Sequence, residues 1–133
     1  MQAMIGAYHY RRLGSEVALI IQGQVHFSLT TRAAYRPGPF AEASLSLQWL
    51  GLGRGRLISE LQLNTRITAR DHGAAADDEN SGGEQIYLAP GFTAKLTPTL
   101  ALFANIQVPL FQRVNGYQLV PRKIGSTGLQ VRF

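Results

Sequence analysis

Apolar and polar residues alternate along most of this chain, and a period of two puts one class on each side of an extended strand. The longest run covers residues 17–35. Its odd positions carry Val17, Leu19, Ile21, Val25, Phe27, Leu29 and Tyr35, and its even positions Gln22, Gln24, His26, Ser28, Thr30 and Arg32. A helix would scatter those polar residues around its circumference. The pattern returns in residues 43–49, 57–69, 85–96, 100–111 and 126–133, with a weaker strand over 3–11. Seven strands and no helix are expected. The connections alternate between short (12–16, 51–55, 97–99) and longer (36–40, 71–83, 114–125). Antiparallel up-and-down transmembrane barrels have this layout, with short turns on one side of the membrane and longer loops on the other.

Period alone does not separate a membrane barrel from a soluble β-sandwich, because the first inverts inside and outside without changing the spacing. Besides the loop lengths, three features favour the barrel. The chain closes on Leu129, Val131 and Phe133, an alternating apolar face with a terminal aromatic residue. That ending resembles the C-terminal assembly signal of outer-membrane barrels, which implies the barrel assembly machinery as a partner. Tyr8, Tyr10, Tyr35, Trp49 and Phe133 are expected on the apolar face near strand ends, where interfacial aromatic girdles sit. The opposite face is rich in Gln, Asn, Ser, Thr and Arg, as a wet lumen would be. Pro90 and Pro109 run against the assignment, since each removes a ladder donor unless a bulge accommodates it.

A family resemblance rests on three stretches: residues 78–83 (DENSGG), 86–91 (IYLAPG) and 107–116 (QVPLFQRVNG). They resemble the C-terminal region of uncharacterised Gram-negative outer-membrane barrels of a transporter-labelled type. The resemblance covers the last third to half of the chain; upstream of Leu57 only the pattern supports it. It implies an outer-membrane location, contact with outer-membrane lipid and lipopolysaccharide, and tolerance of the two prolines. With Phe133 on the periplasmic side, seven strands place residue 1 outside the cell, whereas bacterial single-chain barrels normally have an even strand count. No basic segment followed by an apolar one marks a signal peptide at residues 1–5. The expectation is therefore that residues 1–133 are the C-terminal part of one barrel domain, an incomplete barrel whose upstream strand and signal peptide are missing.

The chemistry-bearing residues point to a lining and not to catalysis. With no cysteine and only three histidines, 9, 26 and 72, no spacing matches a metal site, and no cofactor is expected. His26 and Ser28 share a face, but a lipase needs its nucleophile toward lipid and an orienting partner for the base. Asp71, Asp77, Asp78 and Glu79 in the longest loop are oxygen donors of the kind that hard cations favour, although a solvated loop is the simpler reading. The predicted lumen-lining residues are Gln22, Gln24, His26, Arg32, Glu60, Gln62, Asn64, Arg66, Lys95, Asn105, Gln107 and Arg132.

Charge sharpens the expected solute. Net charge is +5, but the basic residues are scattered singly, unlike the clustered, aromatic-interleaved patches of nucleic-acid modules. On the predicted polar face His9, Arg11, Arg32, Arg66, Arg70, Lys95, Arg113 and Arg132 outnumber Glu42 and Glu60, an excess that favours anions in a pore. The leading expectation is an outer-membrane pore or transporter for small polar or anionic solutes, the solute itself unknown. A structural or adhesion barrel with a filled lumen, and a soluble β-sandwich binding module, are the alternatives.

Overall fold

The computed structural model describes residues 1–131. Seven antiparallel strands follow one another in chain order as a single meander: β1 (Gln2–Arg12), β2 (Val17–Ser28), β3 (Phe40–Gly51), β4 (Leu57–Thr68), β5 (Gly83–Lys95), β6 (Leu100–Val114) and β7 (Ile124–Val131). Each strand pairs with its neighbours in sequence, and the sheet curls into a half-barrel. Among the described residues β1 and β7 are the two edges and do not pair with each other. Between β3 and β4, the four residues of α1 (Leu52–Gly55) form a turn in which Gly53 and Arg54 take the left-handed φ values 58° and 57°. No helix is long and apolar enough to cross a membrane, which says nothing about strands.

Strand length fits the alternation. A strand such as β4, with 12 residues, spans about 40 Å at roughly 3.3 Å per residue. Tilted by about 45° it rises close to the ~30 Å thickness of a hydrocarbon core.

Cross-strand partners share a face, so the register assigns each side chain. One continuous row runs Gln22, Ser44, Asn64, Tyr87, and the next toward the longer loops runs Gln24, Glu42, Arg66, Gln85. These polar rows face the hollow of the curl. The interleaved row Ile21, Leu45, Leu63, Leu88 faces outward. Leu61, Leu63 and Ile67, on the central strand of the sheet, are 39%, 37% and 53% exposed, and among the described residues no large side chain is fully buried. The few buried strand residues, Ala18, Ser28, Ser46, Tyr87 and Ala89, belong to the concave rows, and all but Tyr87 are small. A soluble sheet buries its apolar face against a second layer; here that face has none.

The register corrects three expectations. In β1, Tyr8 pairs with Gln22 and Tyr10 with Ile20, while His9 pairs with Ile21 and Arg11 with Leu19. The tyrosines therefore belong to the concave face, and His9 and Arg11 to the convex one. Between β5 and β6 the alternation expected through residue 111 is broken: the register shifts at Ile86/Tyr87, so that Tyr87 pairs with Pro109 and Ile86 with Phe111. Leu110 is the extra residue, and Phe111 turns outward. This bulge lies directly beside Pro109, which relieves the missing donor there. Finally, β2 ends at Ser28, and the alternation expected up to Tyr35 becomes a tight turn: Arg32 bridges Tyr35 across Ala33 and Ala34, whose φ values are 50° and 59°.

Candidate functional site: a polar trough beneath a bonded rim

The concave face encloses a trough of about 730 Å³ lined mainly by Gln22, Gln24, Glu42, Ser44, Gln62, Asn64, Arg66, Gln85, Tyr87 and Gln107. The last long loop folds back over its edge and adds Gln118 and Pro121, held where Gln118 Nε2 donates to the Gly82 carbonyl at 2.8 Å. Gln112 Nε2 donates to the Tyr87 hydroxyl and to the Pro121 carbonyl, both at 2.9 Å, which ties the loop to the wall.

Charge in the trough is internally compensated. Arg66 reaches Glu42 at 3.3 Å, and Gln24 Nε2 donates to the other Glu42 oxygen at 2.6 Å. The same guanidinium lies 4.1 Å over the Phe40 ring, whose other neighbour is His26, stacked at 4.3 Å and 10°. Cation, ring and imidazole thus form one pile at the mouth of the trough, and His26 Nε2 is buried without a hydrogen-bond partner. Toward the short turns, the Glu60 carboxylate accepts from the Ser46 hydroxyl and from Gln48 Nε2. Asn105 shares the concave row of Gly91, and its Oδ1 is buried without a partner.

Of the predicted lining residues, Gln22, Gln24, Gln62, Asn64, Arg66 and Gln107 come together in the trough. His26, Glu60 and Asn105 lie on the same face above or below it. Lys95 is on that face at the short-turn end, exposed to solvent. Arg32 is in the tight turn and lines nothing on the sheet. Arg132 and the terminal Phe133 lie outside the described residues; Leu129 and Val131 are exposed on the convex face of β7. The expected excess of cations on this face shrinks in the described strands to Arg12, Arg66 and Lys95 against Glu42 and Glu60, with Arg12 at the short-turn end and not among the predicted residues. His9 and Arg11 point outward by register, Arg113 pairs with Glu84 on the convex face at 3.1 Å, and Arg70 is in a loop.

Sequence reasoning put Tyr8 on the apolar face; its facing is set by its partner Gln22 on β2 and not by any local signal. It also missed the return of residues 118–124 to the trough and placed Phe40 in a loop. Of the expected girdle, Trp49 shares a convex row with Phe92 near the short turns, while Tyr35 belongs to the loops.

The longer loops form a bonded rim. Asp71 accepts from the Tyr35 hydroxyl at 2.8 Å and from the Gly38 amide at 2.7 Å, and its own amide donates to Ser81 Oγ at 2.9 Å. The hydrogen bond to Asp71, then desolvation and the carboxylate's charge, raise the Tyr35 phenol above its usual range. Gly73 is required here: at φ 114° a Cβ would lie 2.1 Å from the Ala34 carbonyl oxygen. Asn80 holds Asp77 and accepts from the Tyr117 amide at 2.7 Å, joining the third loop to the second. Asp71 and Asp77 thus serve as loop staples, and among the described residues no group of three or more metal-ligating side chains converges. His26 and Ser28 share a face but no hydrogen bond joins them among the described residues.

No family model, curated protein or solved structure matches the chain.

Proposed function

We propose that the chain forms part of the wall of a bacterial outer-membrane β-barrel, with its convex face against lipid and its concave face lining a wet lumen that passes small polar solutes. One observation carries the reading: the alternation is inside out, with Leu61, Leu63 and Ile67 uncovered on the convex side of the central strand and the carboxamides gathered on the concave side. Lipid is the environment in which such a face is stable, and a closed barrel is the form in which strands cross it. In the described strands the concave face carries Arg12, Arg66 and Lys95 against Glu42 and Glu60, and only Arg66 and Glu42 line the trough itself, where they pair, so the trough favours polarity more than negative charge. The bonded rim favours a second reading, in which the exposed loops act on a partner outside the cell and the barrel is their pedestal.

The test is migration of the full-length protein from isolated outer membranes with and without boiling. A heat-dependent shift in the membrane fraction is the expected result. A protein found in the soluble fraction, unshifted, would make the apolar convex face an interface with another protein and end the membrane reading.

A further inference from the structure

We propose that the trough binds neutral polyhydroxylated solutes, short oligosaccharides in particular; the inference builds on the lumen reading and names its solute class. Gln22, Gln62, Asn64 and Gln107 line the trough, and among the described residues their carboxamides make no side-chain hydrogen bond. Each offers both a donor and an acceptor. A hydroxyl group needs the same pair, so a cluster of unclaimed carboxamides matches a run of sugar hydroxyls without demanding a charge from the ligand.

The charged groups argue the same way. Arg66 and Glu42 neutralise one another at 3.3 Å, and the second Glu42 oxygen is already taken by Gln24. No free ionic anchor remains in the trough for an organic anion or for the termini of a peptide. Tyr8 completes the site. It opens the row Tyr8, Gln22, Ser44, Asn64 on the concave face and is 64% exposed. An exposed phenol ring offers an apolar face to the C–H side of a pyranose, with a polar tip beside it. At about 730 Å³ the trough is within the size of small-molecule sites, about 300–1,000 Å³.

Two measurements on the full-length protein separate this inference from the pore reading. The first is titration of maltotriose and cellotriose into the folded protein in detergent micelles, followed by saturation-transfer NMR, with gluconate and triglycine as comparisons. Saturable binding of a neutral trisaccharide is expected, and Asn64→Asp and Tyr8→Ala should each weaken it about tenfold, the loss of one good contact. Tyr8→Phe should retain it. Because the Tyr8 side chain is exposed on the concave face and packs into no core, the Tyr8 pair reads binding even where Asn64→Asp disturbs folding. The second is conductance in planar bilayers. Saccharide binding without conductance would keep this inference and end the pore reading. Conductance without saccharide binding, or gluconate or triglycine bound more tightly than either saccharide, would overturn the inference and keep the pore.

Discussion

The central strand β4 and the edge strand β1 obey the same alternation to different degrees. In β4 every second residue from Ile58 to Thr68 faces the hollow, and Leu61, Leu63 and Ile67 face outward. In β1 nearly every residue is exposed on both faces, with Met4, Tyr8 and Tyr10 toward the hollow and Ala3, Ile5 and His9 outward. Neighbours on both sides give β4 two distinct environments, and its sequence records them. With one neighbour, β1 has no such division, and its facing is imposed by pairing with β2.

The sharpest way to break this contrast is an arginine on the row His9, Ile21, Leu45, Leu63. Leu63→Arg is expected to cost about 2–4 kcal/mol in lipid, the price of a cation near mid-membrane, read as lost heat-modifiability or urea resistance in vesicles. His9→Arg on the same row should change stability by less than about 1 kcal/mol, since a polar side chain already stands there. Equal tolerance of both would mean that the convex face does not meet lipid. A substitution through the sheet sharpens the same point: Gln62→Arg should leave folding intact and shift bilayer reversal potentials toward anion preference.

The rim supplies smaller effects. Asp71→Ala removes two accepted hydrogen bonds, each contributing roughly 0.5–1.5 kcal/mol, and should speed limited proteolysis within residues 69–82 while the strands stay protected. Ala33→Gly should stabilise the turn by about 0.5–1 kcal/mol by relieving a left-handed alanine. The smallest effect is alkaline. The folded Tyr35 phenol ionises above 10.0, its ordinary value, so its contribution is complete below that value and is lost as pH rises through the raised one. Proteolysis of the rim should accelerate only at strongly alkaline pH, and Tyr35→Phe should remove that dependence.

Much of the sheet is legible in the sequence because residues 17–28, 40–51 and 57–68 each carry two unlike faces. Seven strands, their order and six of the trough residues follow from that pattern. Three things do not. The Leu110 bulge reverses parity without a local marker, although Pro109 signals that the ladder is broken near it. The turn at Ala33 and Ala34 lacks the Gly or Asn that normally announces two positive φ values. The balance of charge in the trough depends on whether an arginine is on a strand face or in a loop, and composition does not distinguish Arg66 from Arg32.

The meander also has a temporal side. Each strand pairs only with its neighbours in sequence, so closing any one hairpin orders only the loop between two successive strands and the sheet can grow stepwise along the chain. The rim bonds differ: they join Tyr35 to Asp71 and Asn80 to Tyr117, and each pair meets only after the hairpin between them exists. We therefore expect the rim amides to gain exchange protection last in pulsed labelling, after the strands of β2–β4; rim protection that precedes the strands would reverse this order. The loops that would face the outside world are then the final part of the molecule to mature.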